Sequence, residues 1–335
     1  MEWTHAASGR KKRMLLVQKF GGSSLADPER LRRAAGIVLA ARETGCRLVV
    51  VVSAAGDSTD DLIALAHAID PAPPLREMDA LISTGEQQSA ALMAIQLNRL
   101  GAPARSFSGW QAGISTDESH GSAKIRRIAP RRLQEALDAG LIAVTAGFQG
   151  LTETGDVSTL GRGGSDTTAV ALAAALGADR CEIYTDVDGI FTADPRQVPG
   201  ARQLEVIDSR DMLALAEGGS QVLHPESVRL AMENQVDLRL LSSFRPGPGT
   251  RVRRLSQKQR PALAGVTCDR AQSAVTVVGR AADAGLLPKL RAMLADLEIP
   301  AAHAEVRENA LCLRVPPDKL NEALQRLHSL VLESL

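Results

Sequence analysis

The sequence predicts an α/β domain with a largely parallel sheet, followed by a small α+β module. Three observations carry this reading. Apolar strands alternate with helices through residues 14–252. A glycine-rich loop, Gly161-Arg162-Gly163-Gly164-Ser165-Asp166, runs straight into an alanine-rich helix with almost no polar face. After a polar stretch at 253–261 the order changes to strand, helix, strand, strand, helix, the pattern of a ferredoxin-like unit.

Bulk composition narrows the function. The 335 residues suffice for a large core and a second small one. Lysine plus arginine and aspartate plus glutamate each number 39, a balance that argues against a nucleic-acid binder. The cysteines, Cys46, Cys181, Cys268 and Cys312, form no C-x-x-C pair and read as free thiols of a cytoplasmic protein. No apolar run approaches the roughly 20 residues of a membrane span. Residues 1–13, ending in Arg10-Lys11-Lys12-Arg13, read as a disordered, solvated tail.

In order, Met14 to Phe20 reads as a central strand that ends in Lys19-Phe20 and a Gly21-Gly22-Ser23-Ser24 turn. Asp27-Pro28-Glu29 then starts a helix with an N-cap, a proline and an acid in the first turn. The unit repeats with a strand at 47–52, a loop from Ser53 to Thr59 and a helix. Residues 77–100 are expected to be helical, interrupted at Thr84-Gly85-Glu86, and 110–127 to be an irregular connection. A strand at 141–145 leads through Phe148-Gln149-Gly150 to the glycine-rich loop. The strand Arg180–Thr185 ends in Asp186-Val187-Asp188-Gly189, whose spacing does not make a calcium loop. Neither a Walker loop nor a G-x-G-x-x-G fingerprint follows the first strand. The expected organisation is a tail (1–13), a main domain (14–252), a linker (253–261) and a module (262–335).

The glycine-rich loop has the chemistry of an anion site. Glycines let backbone N–H groups face a ligand, and the helix N-terminus adds partial positive charge. Arg162 offers a forked cation for a carboxylate or phosphate. Lys19, at the carboxyl end of an apolar strand, stands where open α/β sheets bind ligands.

Taken together, these motifs resemble the aspartokinases of the amino-acid kinase family, from about Leu16 to Val252. The motifs are Lys19-Phe20-Gly21-Gly22-Ser23-Ser24, Ser53 to Thr59, Thr84-Gly85-Glu86, Gly147-Phe148-Gln149-Gly150, Gly161 to Asp166, and Tyr184 to Gly189 with Asp194-Pro195-Arg196. The resemblance implies an α/β/α sandwich with a mainly parallel sheet and an ACT-like C-terminal module. It implies transfer of the ATP γ-phosphoryl to the side-chain carboxylate of L-aspartate, giving 4-phospho-L-aspartate, the entry to lysine, threonine and methionine. Magnesium is implied by ATP, with no protein ligand assigned to it.

By the same resemblance Lys19 contacts the transferred phosphoryl and Asp166 orients that lysine. Arg162 clamps the acceptor's α-carboxylate and Glu86 meets its α-ammonium, with Ser53, Thr59, Phe148 and Ser165 around them. Gly21, Gly22 and Ser23 hold phosphates, and Thr185, Asp186, Phe191, Arg196 and Gln221 fall on the nucleotide side. Taken alone, Glu86 reads as a surface charge and Asp166 as a helix-start residue.

The chain departs from the family pattern at three places. Gln221 stands where lysine is usual, which keeps hydrogen bonding and removes a charge. Phe191 replaces a common tyrosine. One ACT-like module replaces two, with Ala284-Gly285 in place of the usual Pro-Gly effector turn. Weak or no feedback control is therefore expected, with the module serving homodimer or larger self-contacts. The competing readings are a kinase of the same fold for another amino-acid carboxylate and a non-catalytic regulatory paralogue.

Overall fold

The computed structural model describes residues 13–301 and 303–334, so nearly all of the expected N-terminal tail lies outside it. The chain begins β1 (Leu15–Phe20), α1 (Pro28–Glu43), β2 (Arg47–Val52), α2 (Ser58–Ile69), α3 (Leu75–Ile82), α4 (Thr84–Arg99) and β3 (Ala104–Phe107). There follow β4 (Ile114–Thr116), β5 (Ile125–Ile128), α5 (Arg131–Asp138), β6 (Ile142–Ala146), β7 (Gln149–Leu151), β8 (Val157–Thr159), α6 (Gly164–Leu176) and β9 (Arg180–Thr185). Then come β10 (Val206–Asp208), α7 (Ser209–Glu217), α8 (Pro225–Glu233), β11 (Leu238–Ser242) and β12 (Thr250–Arg253). The chain closes with β13 (Gly265–Asp269), β14 (Ala274–Val278), α9 (Leu287–Ala295), β15 (His303–Arg307), β16 (Ala310–Arg314) and α10 (Leu320–Leu332).

Eight strands form the main sheet in the order β10-β12-β11-β9-β1-β2-β6-β3. All its neighbours are parallel except β11 and β12. Both faces are covered, which is why the central strands are apolar throughout: Val49 to Val52 have no exposed surface. One face packs Val17, Val49 and Val51 against Leu133, Leu172 and Val228 of α5, α6 and α8. The other packs Phe20, Val50 and Val52 against Val38 of α1 and Met93 and Leu97 of α4. The result is the expected α/β/α sandwich. At its start Asp27 caps α1 by accepting from the N–H groups of Glu29 and Arg30, with Pro28 in the first turn.

Two regions differ from the sequence reading. Residues 110–127, expected to be an irregular connection, contain two short strands: β4 and β5 join β7 and β8 in a second sheet, ordered β5-β4-β7-β8. The C-terminal module gains a strand, β13, which pairs antiparallel with β14 and completes a β13-β14-β16-β15 sheet. The module's core also includes Ala193 and Val198, contributed by the loop that follows β9. The polar segment 253–261 is anchored at its end, where buried Arg260 pairs with Asp211 of α7 and donates to Asn309 of the module.

Candidate active site

The site forms where the carboxyl ends of β1 and β2 meet the N-terminus of α6. Alternation along β1 sends Gln18 and Phe20 to one face and Lys19 to the other, toward α6. There Lys19 Nζ lies 2.7 Å from Asp166 Oδ1. The pair joins residues 147 positions apart only because β1 is central and α6 packs across it.

The loop before α6 requires glycine. Gly161 and Gly163 have φ of +71° and +73°. A Cβ on Gly163 would also lie 2.3 Å from His224 Cβ, at the start of α8. Side chains are therefore excluded where the loop must present Arg162 and the helix N-terminus. Phe148 is strained as well, with φ +69°. Its N–H donates to Thr168 Oγ1 and its carbonyl accepts from Leu160, bonds that offset a cost of about 1–3 kcal/mol.

Glu86 enters from α4. It is 4 % exposed, Oε1 accepts the Ala54 N–H at 3.0 Å, and Oε2 has no partner. Burial pushes its carboxyl up to about 7, against the opposing pull of the Ala54 and Glu86 N–H groups and the Lys19 charge. Gly85 allows this insertion: a Cβ there would come 2.8 Å from Ala54 Cβ. Arg162 is exposed and has no carboxylate partner among the described residues. A buried acceptor and a free guanidinium in one cleft suit a ligand with a cation at one end and an anion at the other.

A cavity of about 950 Å³ connects these groups. Lys19, Ser53, Thr59, Glu86, Phe148, Arg162, Ser165 and Asp166 all line it. The Lys19–Asp166 pair and every residue expected around the acceptor thus share one cleft. Of the residues expected around the nucleotide, Lys19 lines it and the others do not. Gly21 lies next to it, its Cβ position 3.5 Å from Lys19 Nζ. Gly22 follows in a tight turn, where a Cβ would meet the Ala54 carbonyl at 2.7 Å. The Ser23 carbonyl accepts from Arg30. Thr185 ends β9 and donates to Asp186. Arg196 pairs with Asp194, whose carboxyl it holds down at about 2. Phe191 bridges to Gln203, and Gln221 is exposed.

Sequence reasoning missed Asp79 of α3, which also lines the cleft yet has no exposed surface. Its only signal was position, seven residues before Glu86. No group of three or more His, Cys, Asp or Glu side chains able to hold a metal occurs among the described residues. No helix among the described residues is long and apolar enough to cross a membrane.

Comparison with known proteins agrees with the geometry. The profile of the amino acid kinase family matches residues 14–242. The aspartokinase of Corynebacterium glutamicum is 50 % identical over 289 residues, covering 85 % of this chain and 69 % of that protein. That of Thermus thermophilus is 44 % identical over 327 residues, covering 95 % of this chain and 80 % of the relative. The crystal structure of Escherichia coli aspartokinase III in complex with aspartate and ADP superposes with a TM-score of 0.83. It covers 95 % of this chain and all of that one, at 23 % identity, which is a likeness of fold. The chain belongs to the amino acid kinase family, among its aspartokinases.

Proposed function

We propose that this chain transfers the γ-phosphoryl group of ATP to the side-chain carboxylate of L-aspartate, with Lys19 at the transferred phosphoryl. Glu86 receives the amino acid's α-ammonium on its unpartnered Oε2, and Arg162 receives the α-carboxylate. Ser53, Thr59, Phe148 and Ser165 wall the acceptor between them. With both ends fixed, the side-chain carboxylate is directed toward Lys19. Lys19, oriented by Asp166, offsets charge on the phosphoryl oxygens, and positioning with electrostatics supplies most of such catalysis. Gly21, Gly22 and Ser23 cradle phosphates, with Thr185, Asp186, Phe191, Arg196 and Gln221 beyond them on the nucleotide side.

The observation that carries this reading is the buried, half-satisfied carboxylate of Glu86 in the same cleft as the Lys19–Asp166 pair. It favours an α-amino acid over an acceptor without a cationic group. The test is an assay with Mg-ATP, a panel of amino acids and hydroxylamine to trap acyl phosphate. Hydroxamate is expected with L-aspartate. Hydroxamate with a different amino acid alone would reassign the acceptor, and none with any would leave a non-catalytic paralogue.

A charge restored at Gln221 tests the nucleotide side. Gln221→Lys is expected to lower KM for ATP about two- to five-fold, the size of one exposed ion pair of up to about 1 kcal/mol. An unchanged KM would mean that this exposed position does not reach nucleotide. Self-association through the module has an open edge to use, since β15 ends its sheet with Val306 exposed.

A further inference from the structure

We infer that Asp79 is a positioning residue for the acceptor, a single buried carboxylate that fixes Glu86 relative to Arg162. The inference rests on the reading that those two side chains hold the ends of the amino acid.

Asp79 sits on α3 with no exposed surface, and its two oxygens tie α3 to two other chain segments. Oδ2 is 2.8 Å from His120 Nδ1. The Gly121 N–H donates to both oxygens, at 3.1 and 3.0 Å. The Thr159 hydroxyl donates to Oδ1. A buried charge is tolerated only with such a set of donors, and each bond is strengthened by the charge.

The three segments are the walls of the acceptor end of the cleft. α3 leads within two residues into α4, whose first turn carries Glu86. Thr159 ends β8, three residues before Arg162. The segment around Gly121 backs the Arg162 loop: the Gly121 carbonyl is 3.1 Å from the Cβ position of Gly161, and the Ala123 N–H donates to the Thr159 carbonyl at 2.8 Å. Asp79 therefore ties the helix pair bearing the ammonium partner to the loop bearing the carboxylate partner. Its oxygens are fully engaged and offer nothing to a ligand, so it acts through Glu86 and Arg162. Small displacements between paired binding groups are costly in a site that must hold both ends of a zwitterion.

The test separates acceptor from nucleotide. Asp79→Asn keeps the shape and removes the charge. It is expected to raise KM for L-aspartate about ten-fold, with kcat and KM for ATP within about two-fold. Thr159→Val removes one bond and serves if Asp79→Asn folds poorly; a rise in KM for L-aspartate of about three-fold is expected, again without change in KM for ATP. In an Arg162→Lys background the Asp79→Asn effect should shrink, because the two act on the same contact. A folded Asp79→Asn or Thr159→Val enzyme with unchanged KM for L-aspartate overturns the inference. So does a parallel rise of both KM values, the mark of a purely structural role. Arg162→Lys alone distinguishes the failures. If it leaves KM for L-aspartate unchanged, the acceptor reading itself falls; if it raises KM and Asp79→Asn does not, only the role of Asp79 falls.

Discussion

Replacing Lys19 with alanine is expected to lower kcat about a hundred- to a thousand-fold while the protein remains folded. The magnitude is that of removing one preorganised group aimed at charge that develops in the transition state. Lys19 is held at the end of β1 by strands on both sides, so its ammonium has little freedom to lose when the reaction occurs. Asp166 fixes it further at 2.7 Å. The fold should survive because Lys19 ends a strand whose register with β2 and β9 is made by backbone. The carboxylate left behind lies in the first turn of α6, where the helix N-terminus favours negative charge, and it borders an open cleft that water can enter. KM for L-aspartate should move far less than kcat, since Glu86 and Arg162 remain. Steady-state kinetics with circular dichroism checks this. A folded Lys19→Ala enzyme with near-normal kcat would show that the phosphoryl passes elsewhere.

Much of this site was legible because strand ends and glycine loops leave local marks. Lys19 closing an apolar strand and the Gly161–Gly164 loop entering an apolar helix each mark a ligand site in the sequence, and the family resemblance brings the two together. The second sheet left no such mark. β4, β7 and β8 are three residues each, too short to show a period, and β4 meets β7 through Ser115 and Leu151. β13, Gly-Val-Thr-Cys-Asp, has weak strand character and gains its identity from β14. Asp79 was invisible for the same reason. A charged residue on a short amphipathic helix reads as solvated, and its burial depends on His120 and Thr159, 41 and 80 residues away. Ionisation was equally hidden, because the state of Glu86 depends on Ala54 and on burial under neighbours that the motif does not contain.

That ionisation makes the second large effect a pH dependence. Burial raises the Glu86 carboxyl to about 7, so the free enzyme takes up a proton there as pH falls through neutrality. The protonated form cannot pair with an ammonium. Through the same window L-aspartate itself keeps both carboxylates ionised and its ammonium protonated. At saturating Mg-ATP, kcat/KM for L-aspartate is therefore expected to rise with pH up to about 7 and then level off, since this ratio reports the enzyme before it binds the acceptor. Glu86→Gln should raise KM for L-aspartate about ten- to a hundred-fold, the worth of a hydrogen bond to a charged group. It should also abolish the acid limb; a limb that persists would assign the proton to another group. Stability carries the opposite sign. Because the folded value lies above the unfolded one, the folded chain holds a proton that the unfolded chain releases, and stability without ligand falls as pH rises from about 4.5 to 7. Thermal melts should show a lower Tm at pH 8 than at pH 6 from this group, a difference reduced by L-aspartate and absent from Glu86→Gln. The carboxylate that binding needs is thus the form that folding disfavours, and the ammonium of the acceptor relieves that conflict.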